Sequence, residues 1–240
     1  MIYDILILSK NEDFNKVKYL LKSIKLNLNG YDNIYLITPN KLNIELEENV
    51  INLTDFEVIE KEYKDGIKHR PSWIFQQYMK LFQNVTKHDK YLVIDSDIYI
   101  NKNIDIFSDE KPNLFIGKDQ YHEPYFNYMS NFGIYKKYDK SFISEIMLFD
   151  KKIINNFLSR IGLSKSQFFL QSNKIINSNC YISEFELYGN LIQSYHKDEY
   201  NIKNIETMVR GKHGEWNDSE IEHLIDSNKN LDIISYHTWI

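Results

Sequence analysis

The 240-residue sequence contains no alanine, only three arginines and one cysteine, and only 12 glycine and proline residues together (8 + 4). The single Cys180 excludes an internal disulfide and a cysteine-rich metal site. With 29 basic and 34 acidic residues the net charge is −5, so we expect no nucleic-acid partner. No apolar run approaches the roughly 18 residues of a membrane span, and the N-terminal residues lack the basic region of a signal peptide. We therefore expect a cytoplasmic protein without a transmembrane segment.

Apolar segments of strand length alternate with segments of helical periodicity along the chain. This alternation is typical of α/β domains, in which right-handed helical crossovers join parallel strands. No repeat or flexible linker interrupts it, so we predict a single α/β domain over 1–240, with a mostly parallel central sheet flanked by helices. Strands are predicted at 2–8, 34–38, 91–94, 114–117, 143–149 and 231–236, weaker strands at 50–51 and 58–59, and helices at 14–28, 71–83, 151–161, 164–171, 184–195 and 219–226.

Three of these helices begin with a capping-box pattern, in which a serine is followed three residues later by glutamate or glutamine. In the helix at 184–195 the pattern gives Glu186 a structural role. Glu184, at the first helical position, has only a favourable interaction with the helix dipole, so it is the freer carboxylate. The three predicted pairs are Ser164 with Gln167, Ser183 with Glu186, and Ser219 with Glu222.

Two carboxylates, Asp95 and Asp97, directly follow the strongly apolar strand at 91–94. Ligands of open α/β sheets bind outside the carboxyl ends of strands, and paired carboxylates there suit Mg²⁺ or Mn²⁺ bridging a diphosphate. The alternative is an ordinary pair of turn carboxylates at a strand end. From this position we hypothesise that Asp95 and Asp97 bind a divalent metal ion.

The helix at 71–83, just before that strand, carries polar residues on one face. Trp73, Gln77 and Lys80 share this face, whereas Ile74 and Tyr78 lie on the apolar one. Such a face is often simply solvated, but here it can also point toward a site.

Two histidines are candidate site residues. His237 ends the last predicted strand, where a neutral imidazole could complete a metal shell. His213 lies in the glycine-containing stretch 208–214 with Arg210 and Lys212, which we interpret as a loop able to contact a phosphate instead.

Taken in order, these segments resemble one family over nearly the whole chain: small GT-A glycosyltransferases, similar to sugar transferases of bacterial polysaccharide clusters and of large DNA viruses. The Gln-Gln helix and the Ser-Glu-x-Glu-x-Tyr-Gly element are its more specific motifs. The matching segments are the first strand and loop with Ser9 and Asp13, Trp73-x-x-Gln76-Gln77-x-x-Lys80-Leu81, Asp95-Ser96-Asp97, Met147-Leu148-Phe149-Asp150, Ser183-Glu184-Phe185-Glu186-Leu187-Tyr188-Gly189, and His237.

The resemblance implies a GT-A (Rossmann-like) domain with a nucleotide-sugar donor, a glycan acceptor and Mn²⁺ or Mg²⁺. The nucleotide-binding half is expected at about 1–100 and the acceptor-binding half at about 101–240. Segment 118–142 matches nothing in the family and is expected to shape the acceptor site. The resemblance implies that the donor is held by Ser9, Asp13, Trp73, Gln77, Lys80 and Asp95, and the metal by Asp95, Asp97 and His237.

The expected reaction is a single displacement at the donor sugar, in which Glu184 takes the proton of the acceptor hydroxyl. Two other functions stay open. A nucleotidyltransferase would need a glycine-rich basic loop after the first strand, and Ser9-Lys10-Asn11-Glu12 is not one. A noncatalytic carbohydrate-binding module would use the abundant aromatic side chains for stacking. Titration with nucleoside diphosphates and triphosphates separates the three.

Overall fold

A computed structural model describes residues 1–117 and 121–239 of the protein. Its strands and helices alternate through most of the chain, as the sequence predicts. The strands are β1 (Tyr3–Leu8), β2 (Tyr31–Thr38), β3 (Val50–Thr54), β4 (Lys90–Asp95), β5 (Ile98–Ile100), β6 (Phe107–Ser108), β7 (Lys111–Ile116), β8 (Ile146–Asp150), β9 (Asn201–Asn204), β10 (Thr207–His213) and β11 (Ile233–Trp239). The α-helices are α1 (Phe14–Asn27), α2 (Asp55–Val58), α3 (Glu62–Asp65), α4 (Pro71–Phe82), α5 (Glu123–Ser130), α6 (Lys151–Arg160), α7 (Lys165–Ile175), α8 (Glu184–Tyr195) and α9 (Asp218–Ser227).

The central sheet has five strands in the order β3-β2-β1-β4-β8. β1 pairs in parallel with β2 and β4, and β2 pairs in parallel with β3. Only β8, at one edge, runs antiparallel to its neighbour β4. The predicted α/β class with a mostly parallel central sheet is confirmed.

Both faces of this sheet are covered, because alternate residues of each strand point to opposite sides. In β1, Ile5 and Ile7 join the cluster that contains Leu20 of α1. Leu6 joins the cluster on the other face, with Ile74 of α4. β1 is consequently buried along its whole length.

Two three-stranded sheets accompany the central one, in the orders β10-β11-β5 and β6-β7-β9. In the first, β11 lies parallel to β10 and antiparallel to β5. Because only two residues separate β4 from β5, this small sheet brings the C-terminal strand beside the carboxyl edge of the central sheet.

Some predictions of local structure were wrong. The segment 58–59 is not a strand, because Thr54 and Glu57 form a capping box that starts the short helix α2. The stretch 208–214 is not a loop: most of it is the strand β10, paired with β11. β8 begins at Ile146, three residues later than predicted, and β11 begins at Ile233 and continues to Trp239. His237 therefore lies within a strand, and not at its end.

The capping boxes were predicted correctly in one case of three. Ser164 and Gln167 form the complete box at α7. At α9 the box uses Asn217 and Glu220, two residues before the predicted Ser219 and Glu222. At α8 the Ser183 hydroxyl accepts from the Glu186 amide, but the Glu186 carboxylate is bound elsewhere.

None of the helices among the described residues combines the length and the apolar character that a membrane crossing needs.

Candidate active site

The carboxyl edge of the central sheet gathers most of the predicted site residues. β1 ends at Leu8 and β4 at Asp95, and these two residues are register partners in parallel strands. Ser9 therefore lies on the same edge as the turn that carries Asp97. This is the edge at which open α/β sheets bind their ligands.

A buried ion-pair triad lies directly under this edge. The Lys80 ammonium is 2.7 Å from the Asp95 Oδ1 atom and 2.7 Å from the Glu184 Oε1 atom. Lys80 comes from α4 and Glu184 from the first turn of α8, so the triad joins two helices to the end of β4. Glu184 is only 3% exposed and pairs with Lys80, so the expectation that it interacts only with the helix dipole was wrong.

The charges in the triad perturb one another strongly. Burial opposes the ammonium form of Lys80, but the two carboxylates outweigh burial and raise the pKa of Lys80 above its ordinary value. Burial raises the pKa of Glu184, and Lys80 only partly counteracts this effect. Glu184 is thus a stronger base than an exposed glutamate when ionised.

The predicted polar face of α4 points into this cluster. Proline at the first position fixes the start of the helix, and the residue before it, Arg70, has a left-handed backbone with φ +43°. From this start, Gln77 and Lys80 lie one turn apart and face Glu184. When the Gln77 side-chain amide is oriented with its nitrogen toward Glu184, it donates to the Glu184 carboxylate. Both oxygens of Glu184 are therefore engaged by α4.

Asp97, which follows Asp95 in the same turn, lies close to His237. The Tyr236 amide donates to the Asp97 carbonyl over 2.9 Å, which fixes β11 beside the turn. Across this junction the Asp97 Oδ2 atom lies 3.9 Å from the His237 Nε2 atom, which is also 2.7 Å from the Ser235 hydroxyl. Burial, together with the Asp95 charge, raises the pKa of Asp97, although His237 and Lys16 act in the opposite direction.

Sequence reasoning missed a further acidic residue at this edge, Glu145. Its carbonyl accepts a 3.1 Å hydrogen bond from the Asp95 amide, and its carboxyl interacts with the Asp95 side chain. Burial and the charges of Asp95 and Asp97 raise the pKa of Glu145 well above its ordinary value. The signal that could have found it is a glutamate directly before the apolar run 146–149, within the predicted strand 143–149.

Asp95, Asp97 and His237 offer the oxygen and imidazole ligands that Mg²⁺ and Mn²⁺ accept. The 3.9 Å between Asp97 and His237 is short enough for both side chains to reach one ion. These residues therefore fit the predicted metal. Within the described part of the chain, a different trio has three ligand atoms already in mutual reach: Asp4, Asp32 and His88.

This second acidic group lies at the opposite edge of the sheet, and its oxygens are already occupied. The Asp4 carboxylate accepts from the Asn33 and His88 amides, and the Asp32 carboxylate pairs with Lys87 over 2.7 Å. These hydrogen bonds and the ion pair explain why the three side chains lie close together without a cation.

Ser9 borders a small cavity of about 130 Å³ at the ends of β1 and β2. The first turn of α4 closes the cavity, with Ser72 and Gln76 in its wall. Asp13 does not face this cavity in the structure: its carboxylate pairs with Lys16 over 2.9 Å, and Lys16 in turn donates to Thr238 in β11. A larger depression of about 590 Å³, near Lys140 and Thr207, includes none of the predicted site residues.

Trp73 belongs to an aromatic group at the start of α4. Its ring stacks on Tyr125 and meets Tyr181 edge-on, and the Arg70 guanidinium lies 4.4 Å from its centroid. Tyr125 belongs to the segment 118–142, of which residues 118–120 lie outside the described part. Because Tyr181 precedes Glu184 by three residues, the aromatic group borders the triad.

Two residues of the Ser-Glu-x-Glu-x-Tyr-Gly element, Glu186 and Gly189, also have structural roles. A Cβ on Gly189 would lie 2.2 Å from the Phe142 ring, so only glycine allows α8 this close approach. The Glu186 carboxylate accepts from the Ser141 hydroxyl and the Phe142 amide, and its second oxygen accepts from Asn190. Glu186 thus ties α8 to the segment before β8 and does not cap its own helix.

His213 and its neighbours lie on β10, where Gly211 is the register partner of His237. Lys212 pairs with Glu220 of α9, so this cation is not directed at the carboxyl edge. His237, and not His213, is the histidine that reaches Asp97.

Neither a protein-family model nor a curated protein sequence matches the chain. Among solved structures, mouse xyloside xylosyltransferase 1 is 12% identical, with a TM-score of 0.49 over 98% of this chain and 97% of that one. The galactosyltransferase LgtC with donor and acceptor sugar analogues is also 12% identical, with a TM-score of 0.49 over 97% of this chain and 86% of that one. The bifunctional glycosyltransferase WbbM is 10% identical, with a TM-score of 0.49 over 98% of this chain and 45% of that one. Because these sequence identities and TM-scores are low, the function has to be inferred from the side chains at the site.

Proposed function

We propose that the protein is a metal-dependent glycosyltransferase that moves a sugar from a nucleotide-sugar donor to a hydroxyl group of a glycan. The observation that carries the proposal is the position of Asp97 and His237, 3.9 Å apart, beside the buried Asp95–Lys80–Glu184 triad at the carboxyl edge of the sheet. This edge offers a cation site and a candidate base in adjacent positions. The cation would stabilise a diphosphate leaving group, and the base would accept the proton of the attacking hydroxyl.

In this proposal Asp97 and His237 hold the divalent cation, and Asp95 borders it. The cation, when bound, would stabilise the charge that develops on the leaving diphosphate. Lys80 fixes the Asp95 carboxylate through their 2.7 Å contact, so that Asp95 faces the ligand in one orientation. The cavity at Ser9 receives part of the nucleoside, since it opens at the same strand ends.

Glu184 is proposed as the group that accepts the proton of the acceptor hydroxyl. Its raised pKa favours this role once the carboxylate is ionised. Lys80 and Gln77 each bind this carboxylate, so the acceptor hydroxyl has to approach one of its remaining lone pairs. The aromatic group of Trp73, Tyr125 and Tyr181 borders Glu184 and offers the acceptor sugar flat apolar surfaces.

Calorimetric titration with nucleoside diphosphates, with and without Mn²⁺, tests the assignment. We expect tight binding only in the presence of Mn²⁺, and we expect Asp97→Asn to lose it while the fold is kept. The matched control is Asp32→Asn, which alters the other acidic cluster at the far edge of the sheet. Loss of binding in Asp32→Asn and not in Asp97→Asn would contradict the proposal.

The same titration distinguishes the two other functions. Preference for a nucleoside triphosphate over the diphosphate would favour a nucleotidyltransferase. Binding of glycans without any nucleotide would favour a carbohydrate-binding module. The loop after β1 continues into a 3₁₀ helix at Asn11–Asp13 and contains no glycine, which is unlike the phosphate-binding loop of a nucleotidyltransferase.

A further inference from the structure

Glu145 has an unusual backbone conformation for a buried residue. Four non-glycine residues in the described part of the chain have positive φ, and Arg70, Asp109 and Glu110 among them are exposed. Glu145, with φ +67°, is only 6% exposed. A left-handed backbone is costly for a residue with a Cβ, and such strain persists where the surrounding structure enforces it, often at functional sites.

The pairing of β8 with β4 explains how this conformation is enforced. Ile146 is the register partner of Ile94, so Glu145 lies opposite Asp95 at the point where both strands reach the carboxyl edge. The Asp95 amide donates to the Glu145 carbonyl over 3.1 Å. The chain therefore enters β8 through a residue whose backbone is fixed by Asp95 itself.

The Glu145 side chain is directed to the same group of charges. Burial and the charges of Asp95 and Asp97 raise the pKa of the Glu145 carboxyl, and the Asp95 side chain interacts with it directly. No N–H or O–H donor of the residues described here provides it with another hydrogen bond. Two carboxyl groups attract each other only through a shared proton or a cation, because each otherwise offers only negative oxygens.

We infer that Glu145 supplies a further carboxyl group to the divalent cation centre at Asp97 and His237, which Asp95 borders. This inference rests on the metal site of the proposed function and extends it by one ligand. Asp95 is already paired with Lys80, so an ionised Glu145 carboxylate beside Asp97 adds negative charge that a bound cation would balance. The left-handed backbone is the conformation that delivers this carboxylate to the centre.

Two substitutions test the inference, with Mn²⁺ alone as the titrant. Glu145→Gly removes the carboxylate and accepts the left-handed backbone without strain, and Glu145→Gln keeps the size but loses the charge. We expect both to weaken Mn²⁺ binding roughly 10- to 100-fold by calorimetry. Without cation, Glu145→Gly should melt at or above the temperature of the parent protein.

The matched control is Glu110→Gly, since Glu110 has a similar φ of +62° but is exposed. It should change the melting temperature without changing the Mn²⁺ affinity. A parent protein that binds no Mn²⁺ would overturn the metal site of the proposed function and this inference together. A parent that binds Mn²⁺ and both Glu145 variants that bind it equally well would overturn this inference alone. If Glu145→Gly fails to fold, Glu145→Gln still decides the affinity.

Discussion

Replacing Lys80 with methionine keeps most of the length of the side chain and removes the cation between Asp95 and Glu184. The Glu184 side chain is 4% exposed and would be left without a cationic partner, whereas Asp95, at 27%, can still be solvated. Removing one partner of a buried ion pair typically costs about 3–5 kcal/mol. We expect a loss of that size here, which is a large fraction of the stability of an ordinary domain.

Urea unfolding followed by intrinsic fluorescence measures this loss. The matched control is Lys25→Met, because Lys25 and Glu47 form an ion pair whose side chains are 66% and 62% exposed. An exposed pair contributes about 0–1 kcal/mol, so the control should be nearly neutral. The difference between the two variants isolates the effect of burial.

A double variant separates the unpaired charge from the lost packing. Adding Glu184→Gln to Lys80→Met removes the carboxylate that the first change leaves unpaired, so the double variant should regain part of the stability. If Lys80→Met costs no more than Lys25→Met, or if the double variant is no more stable than Lys80→Met, the reasoning about the triad is refuted.

Three further substitutions follow from the contacts of α8. Gly189→Ala places a Cβ against the Phe142 ring and should cost about 1–3 kcal/mol in thermal or urea unfolding, and Phe142→Leu in the same chain should recover part of it. Glu186→Gln loses one buried acceptor oxygen and should cost about 1 kcal/mol, so an unchanged unfolding curve would refute its tie to the segment before β8. Glu184→Gln should lower turnover by roughly 10² to 10⁴-fold while donor affinity is kept; an equal loss of affinity would instead make Glu184 a positioning partner of Lys80.

The sequence predicts well the strand and the helix that position the site, because these elements depend on local patterns. The apolar strand before Asp95 and the helix that begins at Pro71 are both visible from residue types and spacing. Since parallel strands end at one edge, Ser9 and Asp97 could be expected there together. The β4 strand and the α4 helix appear in the structure with nearly the predicted bounds.

The connections within the site depend on distant pairs that no local pattern specifies. Lys80 and Glu184 are 104 residues apart, and nothing near Glu184 in the sequence indicates that it is buried against a lysine. Competition between neighbouring caps also misled the prediction at α9, where Asn217 takes the role expected of Ser219. β10 was missed because its side chains are mostly exposed and polar, so it lacks the apolar alternation of a half-buried strand.

The most direct test of the proposed function is the initial rate of nucleotide-sugar consumption with Mn²⁺ and with excess chelator. A panel of nucleotide sugars should contain at least one that the parent protein consumes with Mn²⁺ present. We predict that chelation abolishes this activity, and that Asp97→Asn lacks it at every Mn²⁺ concentration while remaining folded. Full activity in excess chelator, or parental activity in Asp97→Asn, would contradict the assignment of the carboxyl edge as a metal-dependent transfer site.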